Sequence, residues 1–140
     1  MNWLGWSLAS AVFAALTAIL AKVGVSGVDS TLATAVRTVV VLLFTWLLVW
    51  VSPSAGGIGA LTTRNWSFLA LSGVATGLSW LCYFRALQIG PASRVAPIDK
   101  LSVVFVIALA TLVLGERLTW AKGLGGLLIV AGAVTIALER

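Results

Sequence analysis

Residues 31–51 run TLATAVRTVVVLLFTWLLVWV, an apolar stretch interrupted by a single charge, Arg37. At a rise of about 1.5 Å per residue, a helix of this length reaches about 30 Å, the thickness of a bilayer's hydrocarbon core. Working outward, the chain holds four more stretches of the same kind, at 3–21, 66–87, 95–114 and 120–138. Turn or charge signals separate them, and capping residues precede them: Asn2, Asp29 or Ser30, Asn65, Ser93 and Thr119. The connections are short except for residues 52–64, whose Pro-Ser-Ala-Gly-Gly-Ile-Gly run predicts a flexible loop. The N-terminus has no basic segment ahead of its apolar run and no cleavage site after it, so the first stretch reads as a retained helix. The expected fold is one all-α membrane domain over residues 1–140, with five transmembrane helices.

Composition supports lipid as the solvent. The chain is 61% hydrophobic and 9% charged with a mean hydropathy of +1.12, against roughly 25% charged residues in soluble domains. The net charge of +5 is spread along the chain and forms no basic run, which argues against a nucleic-acid partner. No histidine is present, so Ser-His-Asp and Cys-His catalysis are excluded, as is a His/Cys metal site. No carboxylate pair is set to face across a site either. The expectation is a protein that is no enzyme and needs no cofactor or metal. Cys82 is the one cysteine and sits in an apolar stretch, where a small buried hydrophobe is the ordinary reading.

Chain alternation across five spans puts Trp3, Trp6, Trp46, Trp50, Trp66 and Trp120 near the membrane face that holds the N-terminus, and Trp80 apart from them. Tryptophan favours the interface because its ring is apolar while its N–H seeks a partner. Small residues at spacing four, Ala14 and Ala18, Gly73 and Gly77, Ala121 and Gly125, with Gly132 beyond, mark faces suited to close helix packing.

Charges inside spans are costly, and they carry the functional reading. Arg37 lies roughly 9 Å into its helix; Arg85 lies near the end of the third span, and Asp99 and Lys100 near the start of the fourth. Alternation puts all four in the half of the membrane opposite the N-terminus, at the depth of Trp80, Tyr83 and Phe84. A substrate site of Arg37, Trp80, Tyr83, Asp99 and Lys100 follows, because gripping a polar solute away from water needs charge and aromatic surface together. Bland readings stand beside it. Arg85 either snorkels or serves coupling or structure; Pro97 either starts the fourth helix, leaving Asp99 and Lys100 at its polar end, or lies within it; Arg37 either binds solute or pairs with Asp99. Glu116 either titrates in a coupled cycle or makes a local ion pair in the turn before Thr119.

Cations outside the spans balance, with Arg64, Arg117 and Lys122 on the N-terminal face and Lys22, Arg94 and Arg140 opposite, so no orientation is favoured. Balanced charge with an odd span number predicts an antiparallel homodimer inserted both ways, a two-copy version of an inverted-repeat transporter.

The runs Cys82-Tyr83-Phe84-Arg85-Ala86-Leu87, Gly90-Pro91-Ala92-Ser93, Leu114-Gly115-Glu116-Arg117-Leu118-Thr119 and Gly125-Gly126-Leu127-Leu128-Ile129-Val130-Ala131-Gly132 resemble one unit of the EamA-type family, drug/metabolite transporter superfamily. The resemblance spans essentially the whole chain. It implies one half of an inverted-repeat fold, a multi-pass protein of the cell (inner) membrane, and carriage of a small metabolite. Many members have a proline ahead of the fourth helix's apolar run, where this chain reads Leu101-Ser102-Val103-Val104; here the proline stands earlier, at Pro97. The alternatives to a carrier are a subunit of a flippase for lipid-linked substrates and a non-transporting assembly partner.

Overall fold

The computed structural model describes residues 2–139, apart from the side chains at 54 and 55. Its helices are α1 (Trp3–Gly24), α2 (Ser30–Val51), α3 (Thr63–Ile89), α4 (Ala92–Asp99), α5 (Ser102–Val113) and α6 (Trp120–Leu138). There are five candidate membrane spans, α4 and α5 together making the fourth as Ala92–Val113. Arg140 lies outside the described residues.

Within lipid every backbone N–H and C=O has to find its partner inside the protein, and the helix ends show how this chain manages it. Asn2 Oδ1 accepts from Gly5 N, Asp29 Oδ1 from Leu32 N and Thr119 Oγ1 from Lys122 N. Two expected caps are corrected. The third span starts earlier than predicted, and Thr62 with Asn65 forms a reciprocal capping box: Thr62 N donates to Asn65 Oδ1 and Asn65 N to Thr62 Oγ1. Ahead of α4 the cap position is Pro91, with no side-chain bond, and Ser93 lies inside the helix. The loop predicted to be flexible contains a 3-10 helix, Pro53–Ala60, packed against α2.

The fourth span is not one uniform helix. Pro97 is internal to α4 and cannot donate to the carbonyl four residues back. Immediately after it the backbone tightens: Leu101 N bonds Ile98 O, Val103 N bonds Lys100 O and Val104 N bonds Leu101 O, each at 3.0 Å. These are 3-10 contacts, and they mark the break between α4 and α5.

By contacts the chain divides into two compact units, residues 21–88 and residues 1–20 with 89–140. In the first, the end of α1 and the start of α2 close on the end of α3. Val25 and Leu87 are fully buried there, with Ala21, Ser30, Thr34 and Phe84 around them. Lys22 Nζ donates to Leu87 O at 2.6 Å, and Gln88 Nε2 to Val28 O at 2.8 Å. Gly27, at φ +72°, turns the chain between α1 and α2 in the left-handed region that glycine tolerates.

In the second unit α6 packs on α4 and α5. Glycine spacing named the right helix but the wrong residue: Gly126 is buried, and a Cβ there would meet Ile107 Cδ1 at 3.7 Å, whereas Gly125 and Gly132, like Gly73 and Gly77, have open space. Ala133, two turns beyond Gly126, is buried on the same side. Cys82 is exposed, contrary to expectation, because it lies off the Trp80–Phe84–Leu87 face of α3. Most large apolar side chains are exposed, as lipid-facing surface requires.

Two outcomes follow. Lys22→Met keeps the apolar stem but removes the charged donor, and is expected to destabilise the protein by about 1.5–3 kcal/mol, read from unfolding in detergent. Pro97→Ala restores a helical donor and is expected to slow amide exchange between residues 97 and 103; unchanged exchange would show that proline does not set the break.

Candidate functional site

Residues 30, 34 and 37 recur at four and three positions, the spacing of one helix face. On α2 these are Ser30 and Thr34, both buried, and Arg37, half-buried. On α3 the matching series is Trp80, Phe84 and Leu87, half-buried, buried and buried. The two faces meet at Arg37, whose guanidinium carbon lies 4.3 Å from the Trp80 ring centroid and 5.3 Å from that of Phe84. Both distances fall within the reach of a cation–π contact, which is stronger where water is scarce. Tyr83, half-buried on α3, lies within electrostatic range of the same guanidinium.

The neighbouring polar groups are committed to their own backbone. Thr34 Oγ1 donates to Ser30 O and Thr38 Oγ1 to Thr34 O, each at 2.8 Å. Asp29, the carboxylate of this unit, caps α2. Within the unit, among the described residues, no carboxylate pairs with Arg37.

Arg37, Trp80 and Tyr83 are thus brought together in one unit, and Phe84 belongs with them. In the sequence Phe84 shares their depth, and its place four residues after Trp80, on the same helix face, is the signal that groups it with them. Asp99 and Lys100 belong to the other unit. There the Lys100 ammonium pairs with the adjacent Asp99 carboxylate at 3.2 Å, beside the 3-10 turn, with both groups partly exposed. Pro97 is therefore internal and does not start the helix.

Arg85 is exposed and donates to Gln88 Oε1 at 2.5 Å, while the Gln88 amide holds Val28 O. This ties α3 to the turn ahead of α2, which favours the structural reading of Arg85 over snorkelling. Glu116 meets Lys122 at 2.9 Å across the turn between α5 and α6, where Gly115 takes φ +69°. Above that pair runs an open groove of about 540 Å³ between α5 and α6, floored by Gly123 and Gly126 and walled by Val104, Ile107 and Leu127. No group of three or more metal-ligating side chains occurs among the described residues.

Comparisons with known proteins place the chain. No solved structure matches it. It is 50% identical over 141 residues to an uncharacterized transporter in the cobO 3' region of a Sinorhizobium species, covering 97% of this chain and 96% of that one. It is 33% identical over 73 residues to a probable 4-amino-4-deoxy-L-arabinose-phosphoundecaprenol flippase subunit, ArnE, of Enterobacter sp. (strain 638), over 52% of this chain and 68% of that one. The model of the EamA-like transporter family matches residues 1–138, so this five-span helical chain belongs to the EamA-like transporter family.

Proposed function

We propose that the chain is a secondary carrier of a small polar metabolite, working as an antiparallel pair of identical five-helix units in the cell membrane, with Arg37, Trp80 and Tyr83 receiving the solute. The observation that carries this reading is a guanidinium held between membrane-spanning helices by aromatic rings, with no carboxylate of its unit to neutralise it. A charged group at the centre of a membrane helix costs about 2.5 kcal/mol or more, and less toward its ends. A cation–π contact returns roughly 2 kcal/mol when desolvated. The remaining cost favours a polar guest, and a solute that arrives and leaves would meet that need.

Asp99 and Lys100 form the second polar station in this reading. Their mutual ion pair already compensates both charges, so they offer polar contacts without a net charge to a solute passing the start of the fourth span. Glu116 is engaged by Lys122 and serves the turn. The antiparallel pairing rests on the balanced loop cations and the odd number of spans, since an inverted copy supplies the second half of an inverted-repeat carrier.

One observation favours a second reading. The similarity to a flippase subunit covers half of the chain, and a groove floored by glycine between two membrane helices suits an acyl or prenyl chain. In that case the chain would act as one subunit beside a different partner and move a lipid-linked headgroup.

Reconstituted into vesicles, Arg37→Ala is expected to lower solute flux by about a hundredfold and Arg37→Lys by about tenfold, with folding retained, since lysine keeps the charge but lacks the flat fork. Flux equal to wild type in both would remove Arg37 from the site. Headgroup exposure of a lipid-linked substrate without flux of any soluble one would favour the flippase. For topology, reporters fused to the C-terminus are expected to be active on both sides of the membrane; activity on one side alone would rule out mixed insertion.

A further inference from the structure

We infer that the transported solute is an anion, bearing a carboxylate or a phosphate, and that Phe84 positions Arg37 to receive it; this rests on the reading above that Arg37 is the solute's contact. Three features of the geometry lead there.

The first is the kind of partner that Arg37 has. Trp80 and Phe84 meet the guanidinium with their rings, at 4.3 and 5.3 Å. A ring attracts the charge but is no conventional acceptor for the five N–H donors of the fork. Hydrogen-bonding capacity is therefore left over, in a region where leaving it unused is costly.

The second is that the polar side chains along α2 do not take up that capacity. Asp29 caps Leu32 N, while the Thr34 and Thr38 hydroxyls are tied to carbonyls of α2. Among the described residues of this unit, no hydrogen-bond acceptor meets the Arg37 fork. A solute carrying an ammonium group would set a second cation against the first. A neutral solute would satisfy hydrogen bonds but leave the charge. A carboxylate or phosphate does both, and it matches the paired N–H geometry of the fork.

The third is the unequal burial of the two rings. Phe84 is 3% exposed and sits beside Leu87, which is wholly buried, whereas Trp80 is half-buried. Phe84 is thus a fixed wall, anchored where α1, α2 and α3 close together, and Trp80 is the ring with room to yield to a guest. A fixed wall behind a flexible arginine limits its rotamers and presents its donors in one place. Phe84 acts through Arg37 and is a positioning residue.

The test uses three probes on the protein in detergent: benzoate and benzylamine, which match in size and differ in charge, and inorganic phosphate. Benzoate and phosphate are expected to raise the melting temperature of wild type and not of Arg37→Ala, because a ligand that binds the folded state stabilises it. Benzylamine is expected to give no shift. Stabilisation by benzylamine alone, or equal anion-induced shifts in wild type and Arg37→Ala, would overturn the anion assignment. Both are distinct from the failure of the carrier reading, which is wild-type flux in Arg37→Ala vesicles. For Phe84, Phe84→Leu keeps an apolar filler but removes the ring. It is expected to raise KM for anion flux about tenfold with kcat little changed. A fall in kcat and in folded protein with KM unchanged would make Phe84 a packing residue only. Trp80→Phe, which keeps a ring over the guanidinium, is expected to retain anion stabilisation, and Trp80→Leu to lose most of it; loss in both alike would rule out the aromatic contact as the cause.

Discussion

Everything in this fold answers to one constraint: inside hydrocarbon, no backbone polar group can rely on water. Helices meet it along their length, and side-chain hydroxyls follow suit by turning back to the carbonyl one turn earlier. Ser7, Thr34, Thr45, Thr76, Thr111 and Thr135 all do so. Such hydroxyls become nearly apolar as seen by lipid, which is why spans rich in threonine remain spans. The difficulty moves to the ends, where N–H groups at the start and carbonyls at the finish run out of partners. There the chain spends its few charged groups: Asp29 on the start of α2 and Lys22 on the Leu87 carbonyl near the end of α3.

That allocation explains which parts of the structure were legible from sequence. Span number and approximate limits follow from apolar run length, because the bilayer sets a fixed thickness for every helix to match. Residues 31–51 were read to within a residue of α2, Ser30–Val51. Ends were read less well where the capping is reciprocal. Asn65 was identified as a capping residue, but Thr62 shares the role and moves the start of α3 back to Thr63. The division of the fourth span was also missed, since a proline permits several local outcomes. Only the sequence of backbone bonds from Leu101 to Val104 distinguishes a tightened turn from a kink or a fresh start.

The surroundings of Arg37 were half legible for a related reason. A cation in an apolar helix stands out in any sequence, whereas what lies against it depends on rotation of a neighbouring helix, which composition does not encode. Seven tryptophans illustrate the point. Six of them, Trp3, Trp6, Trp46, Trp50, Trp66 and Trp120, are well exposed, as interfacial anchors should be. Trp80 alone is drawn inward, under the guanidinium. Alternation of the spans had already separated Trp80 from the rest by depth, and the geometry supplies the cause of its separation.

The cations near the helix ends answer to the same constraint. Lys22 is held by the Leu87 carbonyl and Lys122 by Glu116, while Arg64 lies over the Phe68 ring at 5.9 Å. In the finished fold these groups are ties at helix ends, not a free layer of charge. Orientation, however, is decided as helices insert, and helix packing follows as a separate stage. At insertion the same lysines are unengaged and count fully toward the balance between the two faces. One small set of charges thus acts twice, first in the charge balance at insertion and then in closing the ends of specific helices. Substituting one of these cations for topology alters a packing contact as well, so Lys22 and Lys122 couple orientation to stability, whereas Arg94 and Arg117, for which no ion pair occurs among the described residues, separate the two.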